Sequence, residues 1–181
     1  MSRDYSPTAQ TKQWLDEIVI QLNFCPFAKK EFVNNTIAYV ECDASKLEPA
    51  LAALAHELQQ LEQQPQTETT LLIFTHGFAQ FERFLELVDY ANELLLDIGY
   101  DGTFQLANFH PDYFFEDEPM DSPGHYTNRS PYPTLHLIRE QSMEKVLRVY
   151  PNPEQIPENN IRVTEQKGVD YFEQVLRRIR Q

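Results

Sequence analysis

Three stretches of the chain place hydrophobic side chains at the three- and four-residue spacing of amphipathic helices. The first begins at Ser6 and Pro7, residues typical of a helix start, and ends by Asn23. The second follows the capping-box sequence SKLE, and the third ends at Gly99, which suits the left-handed conformation that terminates helices. Each of the three is predicted to bury one face. Their hydrophobic positions are Trp14, Leu15, Ile18, Val19 and Leu22; Leu47, Leu51, Leu54, Leu58 and Leu61; and Phe81, Phe84, Leu85, Val88, Ala91, Leu95 and Ile98.

Three short runs between these helices have the composition of strands. TIAYVEC (36–42) is β-branched and aromatic, TTLLIFT (69–75) is continuously apolar, and GTFQLANFH (102–110) follows the third helix. A continuous apolar run is typical of a strand that is covered on both faces of a parallel sheet. The order β-α-β-α-β, with its crossover connections, therefore predicts an α/β domain: a small parallel sheet flanked by helices.

The C-terminal third continues the alternation. PTLHLIREQSMEKVLRVY (133–150) is predicted as a helix, the proline-rich PNPEQIPENN as a loop, and IRVTE (161–165) as an edge strand. A final amphipathic helix spans residues 169–179, with Arg177, Arg178 and Arg180 placed to complement the helix dipole at its C-terminus. At 181 residues the chain fits one domain with its own core.

The segment NFHPDYFFEDEPMDSPGHYTNRSPYP, residues 108–133, has neither a helical nor a strand pattern. A stretch of this length without regular structure inside a compact domain is usually functional or disordered. Its many aromatic residues argue against disorder, and its prolines reduce the entropy lost on ordering. We predict that it forms an ordered lid or wall of a pocket.

Polar residues follow the predicted strands. His76 comes directly after the second strand, and His110 and Asp112 come after the third. Ligands of open parallel sheets bind beyond the carboxyl ends of the strands, so these side chains are expected at one edge. We predict His110 and His76 as acid/base groups and Asp112 as the group that orients a histidine. The alternative is that both histidines bond backbone carbonyls and serve the fold alone.

The long segment also contributes candidate ligand-binding residues. Arg129, with Asn128, is predicted to hold an anionic ligand, and the aromatic side chains Tyr113 and Tyr126 are predicted to line the same pocket. Arg129 could instead pair with the carboxylates of FFEDEPMD. Together with the strand ends, these positions predict one cavity shared by His76, His110 and Arg129.

The two cysteines are too few for a disulfide framework. Cys25 is predicted either as a small buried hydrophobe or as a nucleophile, for which Lys29 and Lys30 could supply the cationic setting that a reactive thiol needs. His136, beside two leucines, is interpreted as a helix-face histidine outside the site.

The net charge of the chain argues against two classes of binding partner. The formal net charge is −13, which repels phosphate backbones and anionic lipid surfaces, so neither nucleic acid nor a membrane is expected as a partner. No apolar run reaches membrane-helix length, and MSRDYSPTAQ lacks the apolar core of a signal peptide. We therefore expect a cytoplasmic location. The sequence leaves the oligomeric state open.

Cofactor signatures are absent from the sequence. It contains no GxGxxG and no GxxxxGK[ST], so it does not identify a cofactor. A metal site could be assembled from His76, His110 and Asp112, with His125 or Cys25 as a further ligand. No ligand spacing supports such a site strongly, so metal binding is kept as an alternative and no metal ligand is predicted.

Three sequence motifs carry a resemblance to a known family. CPFA after the first helix, NFHPDYFF, and above all NRSPYPTLHLIRE resemble the bacterial family of uncharacterised proteins known as domain of unknown function 1415. The resemblance marks Cys25, His110, Asp112, Asn128 and Arg129 as family motif positions, and it implies no activity, cofactor or catalytic residue.

The leading functional prediction is an enzyme that acts on a small polar, anionic metabolite by histidine acid/base chemistry. The first alternative is a metal-binding protein or metalloenzyme. The second is a non-catalytic binding module that uses the aromatic residues of the long segment.

Overall fold

The computed structural model describes residues 5–181, and a four-stranded mixed sheet lies at its centre. The strands follow the spatial order β1-β2-β4-β3. β1 and β2 are parallel, and β4 runs antiparallel to both of its neighbours, β2 and β3. β1, β2 and β3 therefore point the same way. The strands are β1 Ile37–Cys42, β2 Thr69–Phe74, β3 Phe104–Phe109 and β4 Thr134–Arg139.

The helices cover both faces of this sheet. The first begins at Pro7 with Ser6 as its N-cap, and a π-helical turn, Leu15–Ile20, extends it. Two short 3-10 helices, Pro123–Thr127 and Pro153–Gln155, lie in the C-terminal half. The α-helices are α1 Pro7–Trp14, α2 Ala28–Val33, α3 Leu47–Gln63, α4 Phe81–Asp97, α5 Glu140–Val149, α6 Ile156–Lys167 and α7 Val169–Ile179. No helix within residues 5–181 is long and apolar enough to cross a membrane.

The α/β class and the β-α-β-α-β order of the first three strands are confirmed. The sheet is mixed rather than purely parallel, because TLHLIR is a strand and not the first part of a helix. This strand lies between β2 and β3 and satisfies the backbone groups of both. The helix predicted for 133–150 is correct only from Glu140 onward. The edge strand predicted for IRVTE is wrong, since those residues lie in α6.

Each face of the sheet has its own core. α3 and α4 cover one face, where Leu54, Phe84, Leu135 and Leu137 are completely buried. α1 and α7 cover the other face, and their side chains bury the β2 residues Leu71 and Ile73. All six residues of β2 are buried, as its continuous apolar sequence predicted.

The long segment 108–133 is ordered, as predicted. His125 is buried within it, accepts the N–H of Phe115 at Nδ1 (3.1 Å) and lies 2.8 Å from the carbonyl oxygen of Pro119 at Nε2. Ser122 caps the 3-10 helix through the N–H of Gly124. These contacts fix the shape of a segment whose only helix among the described residues is one short 3-10 helix.

Candidate functional site

The carboxyl ends of β2 and β3 meet at one edge of the sheet. His110, the residue after β3, lies 2.9 Å through Nε2 from the carbonyl oxygen of Phe78, in the loop after β2. The contact bridges the two strand ends even though β4 lies between the strands. The chain that follows β2 and the chain that follows β3 therefore lie next to each other.

His110 has no ring nitrogen left for a ligand. It is completely buried, and its Nδ1 accepts the N–H of Asp112 at 3.0 Å. Since Nδ1 is an acceptor, the ring proton lies on Nε2 and is donated to Phe78. Burial lowers the pKa of His110 below its ordinary value, which favours this neutral form. The observed hydrogen bonds are those of a histidine that organises the fold.

His76 is exposed, and its Nδ1 lies 2.8 Å from the hydroxyl of Thr75. Neither His76 nor His110 lines the cleft that holds Arg129, so the structure does not bring these three residues around one cavity. Tyr113 does not line that cleft either. Its ring packs against the rings of Phe81 and Phe115.

Arg129 lines a cleft of about 450 Å³ between the long segment and α7, which we call the arginine cleft. Two of the predicted site residues, Asp112 and Tyr126, lie in the same cleft. The helix α7 contributes Glu173 and Arg177, and its C-cap residue Arg180 also lines the cleft. Three arginines thus line one cavity of a strongly acidic protein.

The guanidinium of Arg129 is held in place by the long segment. Its Nε donates to the carbonyl oxygen of Tyr113 at 3.1 Å, and its central carbon lies 4.5 Å from the centre of the Tyr126 ring. The Tyr126 hydroxyl is a further hydrogen-bond partner of the Arg129 side chain, and no carboxylate among residues 5–181 forms an ion pair with it. The half-buried guanidinium therefore keeps its positive charge without a carboxylate partner in the described chain.

Arg177 and Arg180 lie on one side of α7, because residues three apart share a helix face. Arg178 lies away from the cleft and pairs with Glu17. The terminal Nη2 of Arg180 donates to the carbonyl oxygen of Ser130 at 3.3 Å. Within the described part of the chain, no ion pair joins a carboxylate to Arg129, Arg177 or Arg180. The pairing of Arg129 with the acidic run of the long segment, which was the alternative to ligand binding, is not formed among the described residues.

Two carboxylates balance part of this charge. Asp112 is exposed at the cleft, and Glu173 accepts the hydroxyl of Tyr126 at 3.4 Å. Burial raises the pKa of Tyr126, so its hydroxyl is protonated at neutral pH and can donate. The charged side chains that line the cleft are thus three arginines and two carboxylates.

The other predicted residues, Cys25 and Asn128, line a different cavity. This cavity, which we call the apolar cleft, has a volume of about 540 Å³ and lies between the sheet and α6. The side chains of Ala107, Phe109 and Ile138 form its floor on β3 and β4. The Nδ2 of Asn128 donates to the carbonyl oxygen of Asn108 at 3.3 Å. The chain from Gly124 to Arg129 separates the apolar cleft from the arginine cleft.

Cys25 lacks the setting that activates a thiol. Burial raises its pKa, although backbone hydrogen bonds from Phe27 and Ala28 oppose the effect. Lys29 and Lys30 are exposed, and Lys30 lies 3.5 Å from a carboxylate oxygen of Glu31. The thiol is therefore protonated at neutral pH, which suits a small wall residue of the apolar cleft.

His136 lies on β4 and lines the apolar cleft, a position that the sequence interpretation missed. Its Nε2 donates to the hydroxyl of Thr69 at 2.7 Å, because that hydroxyl itself donates to the carbonyl oxygen of Leu137. Nδ1 has no hydrogen-bond partner within residues 5–181. Burial lowers the pKa of His136 to about 4. Interpreting TLHLIR as an alternating strand would have placed this histidine on the face of Ile138.

A protein metal centre needs several histidine, cysteine or carboxylate side chains close together. Within residues 5–181 there is no group of three or more such side chains placed to hold a metal ion. The described residues therefore offer no set of ligands for the metal-binding alternative.

Comparison with known protein families finds a match to this chain. A family model described as a protein of unknown function (DUF1415) matches residues 6–174, a range that contains Arg129 and ends before Arg177 and Arg180. No curated protein and no solved structure matches the chain. The match spans nearly the whole chain, and the protein belongs to the DUF1415 family.

Proposed function

We propose that this protein binds a small anionic metabolite in the arginine cleft. One observation carries the proposal: Arg129, Arg177 and Arg180 converge on the same cavity, and none has a carboxylate partner among residues 5–181. Arginines in folded proteins commonly pair with nearby acids, and this chain has 28 acidic residues for 15 basic ones. Three unpaired guanidinium groups in one cavity are suited to a ligand that brings negative charge.

Arg129 is the central contact of this proposal. Its Nε is already bonded to Tyr113, and its ring partner Tyr126 fixes the plane of the guanidinium. A guanidinium that is held this way loses little rotamer freedom when it binds, and its two terminal nitrogens fit a carboxylate or a phosphate. Arg129 is therefore the residue that gives the site its geometry.

Arg177 and Arg180 supply local charge. An anion that approaches a protein of net charge −13 is repelled at long range, and salt screens that repulsion beyond a Debye length of about 8–10 Å. Inside this distance the nearby cations dominate the field. The two exposed arginines of α7 offset the repulsion where Arg129 makes its directional contact.

If the protein catalyses a reaction of the bound anion, Asp112 is the acid/base group that we propose for it. This carboxylate is exposed at the cleft and can accept a proton from a ligand held by Arg129. The histidine chemistry predicted from the sequence is less well supported, because both ring nitrogens of His110 bond the backbone. We accordingly assign Asp112 the acid/base role and His110 a positioning role. A cytoplasmic location, and the exclusion of nucleic acid as a partner, stay predictions.

A thermal-shift panel tests this proposal. Phosphate, pyrophosphate, citrate and a sugar phosphate are compared with amines of similar size on the wild type and on Arg177→Gln/Arg180→Gln. We expect at least one anion to raise the melting temperature, the amines to have no such effect, and the double variant to lose most of the shift. Arg178→Gln removes the same kind of charge outside the cleft and should keep the shift. Stabilisation by amines alone, or equal loss in both variants, would refute the proposal.

A further inference from the structure

The apolar cleft has the size and lining of a small-molecule site that is separate from the arginine cleft. Its volume of about 540 Å³ lies within the roughly 300–1,000 Å³ range of ligand pockets. Aromatic side chains from three parts of the chain form its walls: Phe24 after the π-helical turn, Phe109 on β3 and Phe115 in the long segment. A flat or elongated apolar group can pack against these rings.

The charge at this cleft has one sign. Glu116, Asp117 and Glu118 from the long segment line it, and no lysine or arginine of residues 5–181 does so. Glu116 and Asp117 are exposed and form no ion pair with the described chain. Glu118 accepts the hydroxyl of Ser122 at 2.9 Å. An apolar cavity with carboxylates beside it is complementary to a cation on an apolar body.

The floor of the cleft offers a second acceptor. His136 uses Nε2 to donate to Thr69, which leaves Nδ1 as a lone-pair acceptor with no partner in the described chain. The neighbouring Cys25 is a weak donor at best. A ligand that places a hydrogen-bond donor at the floor of the apolar cleft can therefore donate to Nδ1 of His136.

From these contacts we infer a second binding site, in the apolar cleft, for a primary amine or similar organic cation that carries an aromatic or aliphatic body. The body lies against Phe109 and Ile138, and the ammonium group lies beside Glu116 and Asp117. This inference does not depend on the arginine cleft, whose ligand has the opposite charge.

Three probes that share a phenyl-substituted alkyl chain and differ in their polar end group test the site. Calorimetry compares 4-phenylbutylamine, 4-phenylbutanol and 4-phenylbutyrate on the full chain. The two exposed carboxylates should favour the amine over the alcohol by about tenfold, the combined effect of two weak ion pairs, and the carboxylate should bind least. Equal affinity of amine and alcohol, or no binding by any probe, would overturn the inference.

Paired charge-removal variants locate the preference. Glu116→Gln/Asp117→Asn should bring the affinity for 4-phenylbutylamine to that of the alcohol and leave the alcohol unchanged. Asp89→Asn/Glu93→Gln removes the same charge from exposed positions on α4, which packs on the opposite face of the sheet, and should keep the preference. Loss of the preference in both variants, or in neither, would contradict a site in this cleft.

Cys25 gives an independent measure of location because it lines the cleft. In a Cys42→Ala background, saturating 4-phenylbutylamine should slow the modification of Cys25 by methyl methanethiosulfonate at least several-fold. An unchanged rate would place the amine elsewhere. A dimer in sedimentation that dissociates on Met143→Glu would assign the cleft to a second copy of the chain and would likewise overturn the inference.

Discussion

The imidazole of His110 donates from Nε2 to the carbonyl oxygen of Phe78 across 2.9 Å and so ties the end of β3 to the loop after β2. Phe78 has a φ of 61°, in the left-handed region, a conformation that costs a bulky residue about 1–3 kcal/mol. The same ring accepts the N–H of Asp112, which lines the arginine cleft. One buried histidine thus supports both a strained loop and a wall of the proposed site.

We therefore predict that His110→Ala lowers the free energy of unfolding by about 3 kcal/mol, since it leaves a buried carbonyl and an N–H without partners and creates a cavity. Urea denaturation of His76→Ala provides the matched comparison. His76 is exposed, so its loss should change stability by no more than about 0.5 kcal/mol. Similar values for the two variants would show that the His110 contacts contribute little.

The stability of the protein should fall in acid because of His136. Its pKa is about 4 when folded and 6.5 in its ordinary state, so the unfolded chain binds the extra proton over this interval. Neutral His136 contributes fully to the free energy of unfolding above about pH 6.5. As the pH falls toward 4, this free energy decreases by up to about 3 kcal/mol. His110, whose pKa is also lowered by burial, acts in the same direction.

Chemical denaturation of the wild type and of His136→Phe at several pH values between 7 and 4 measures this effect. The variant keeps an aromatic ring but does not titrate, so its stability should decline less steeply over the interval. Curves that run parallel for the two proteins would mean that His136 titrates normally in the folded state.

Gly77 allows the close approach of the loops after β1 and β2. A Cβ at this position would overlap the carbonyl oxygen of Ala44, a backbone atom that cannot move aside. Gly77→Ala should therefore destabilise the protein by about 2–3 kcal/mol, within the range of overpacking substitutions. Gly102→Ala is a useful contrast, because that glycine has a φ of 75° and open space around it, and its cost should be about 1 kcal/mol. Thermal denaturation that gives the reverse order would contradict the tight loop contact.

The first three strands were predictable because their composition alone determines them. TTLLIFT has no charged residue and no polar face, and all of β2 is buried in consequence. The strand β4 was not predictable in the same way. TLHLIR fits a helix or a strand, and its conformation is decided by pairing with β2, whose residues precede it by more than 60 positions. The residues of TLHLIR and their immediate neighbours do not indicate that pairing.

Some of the residues that line the arginine cleft were singled out from the sequence. The strand ends and the long segment do place Asp112, Tyr126 and Arg129 at one cleft. Arg177 and Arg180 were interpreted as groups that complement the dipole of α7, and only the packing of this helix against the long segment brings them to Arg129. Backbone bonding by His110 was the alternative interpretation, but its partner, the carbonyl of Phe78, lies 32 residues away and could not be identified from local sequence.

The substitution Arg129→Lys tests the arginine cleft most directly, because it keeps the charge and removes the planar fork. Calorimetry with the anion that stabilises the wild type most in the thermal-shift panel should show a loss of about 1.5–3 kcal/mol, the size of a charge-assisted hydrogen bond. Arg178→Lys, on the far side of α7 where the arginine pairs with Glu17, should bind that anion like the wild type. Unchanged binding by Arg129→Lys, or the same loss in both variants, would contradict an anion site built on Arg129.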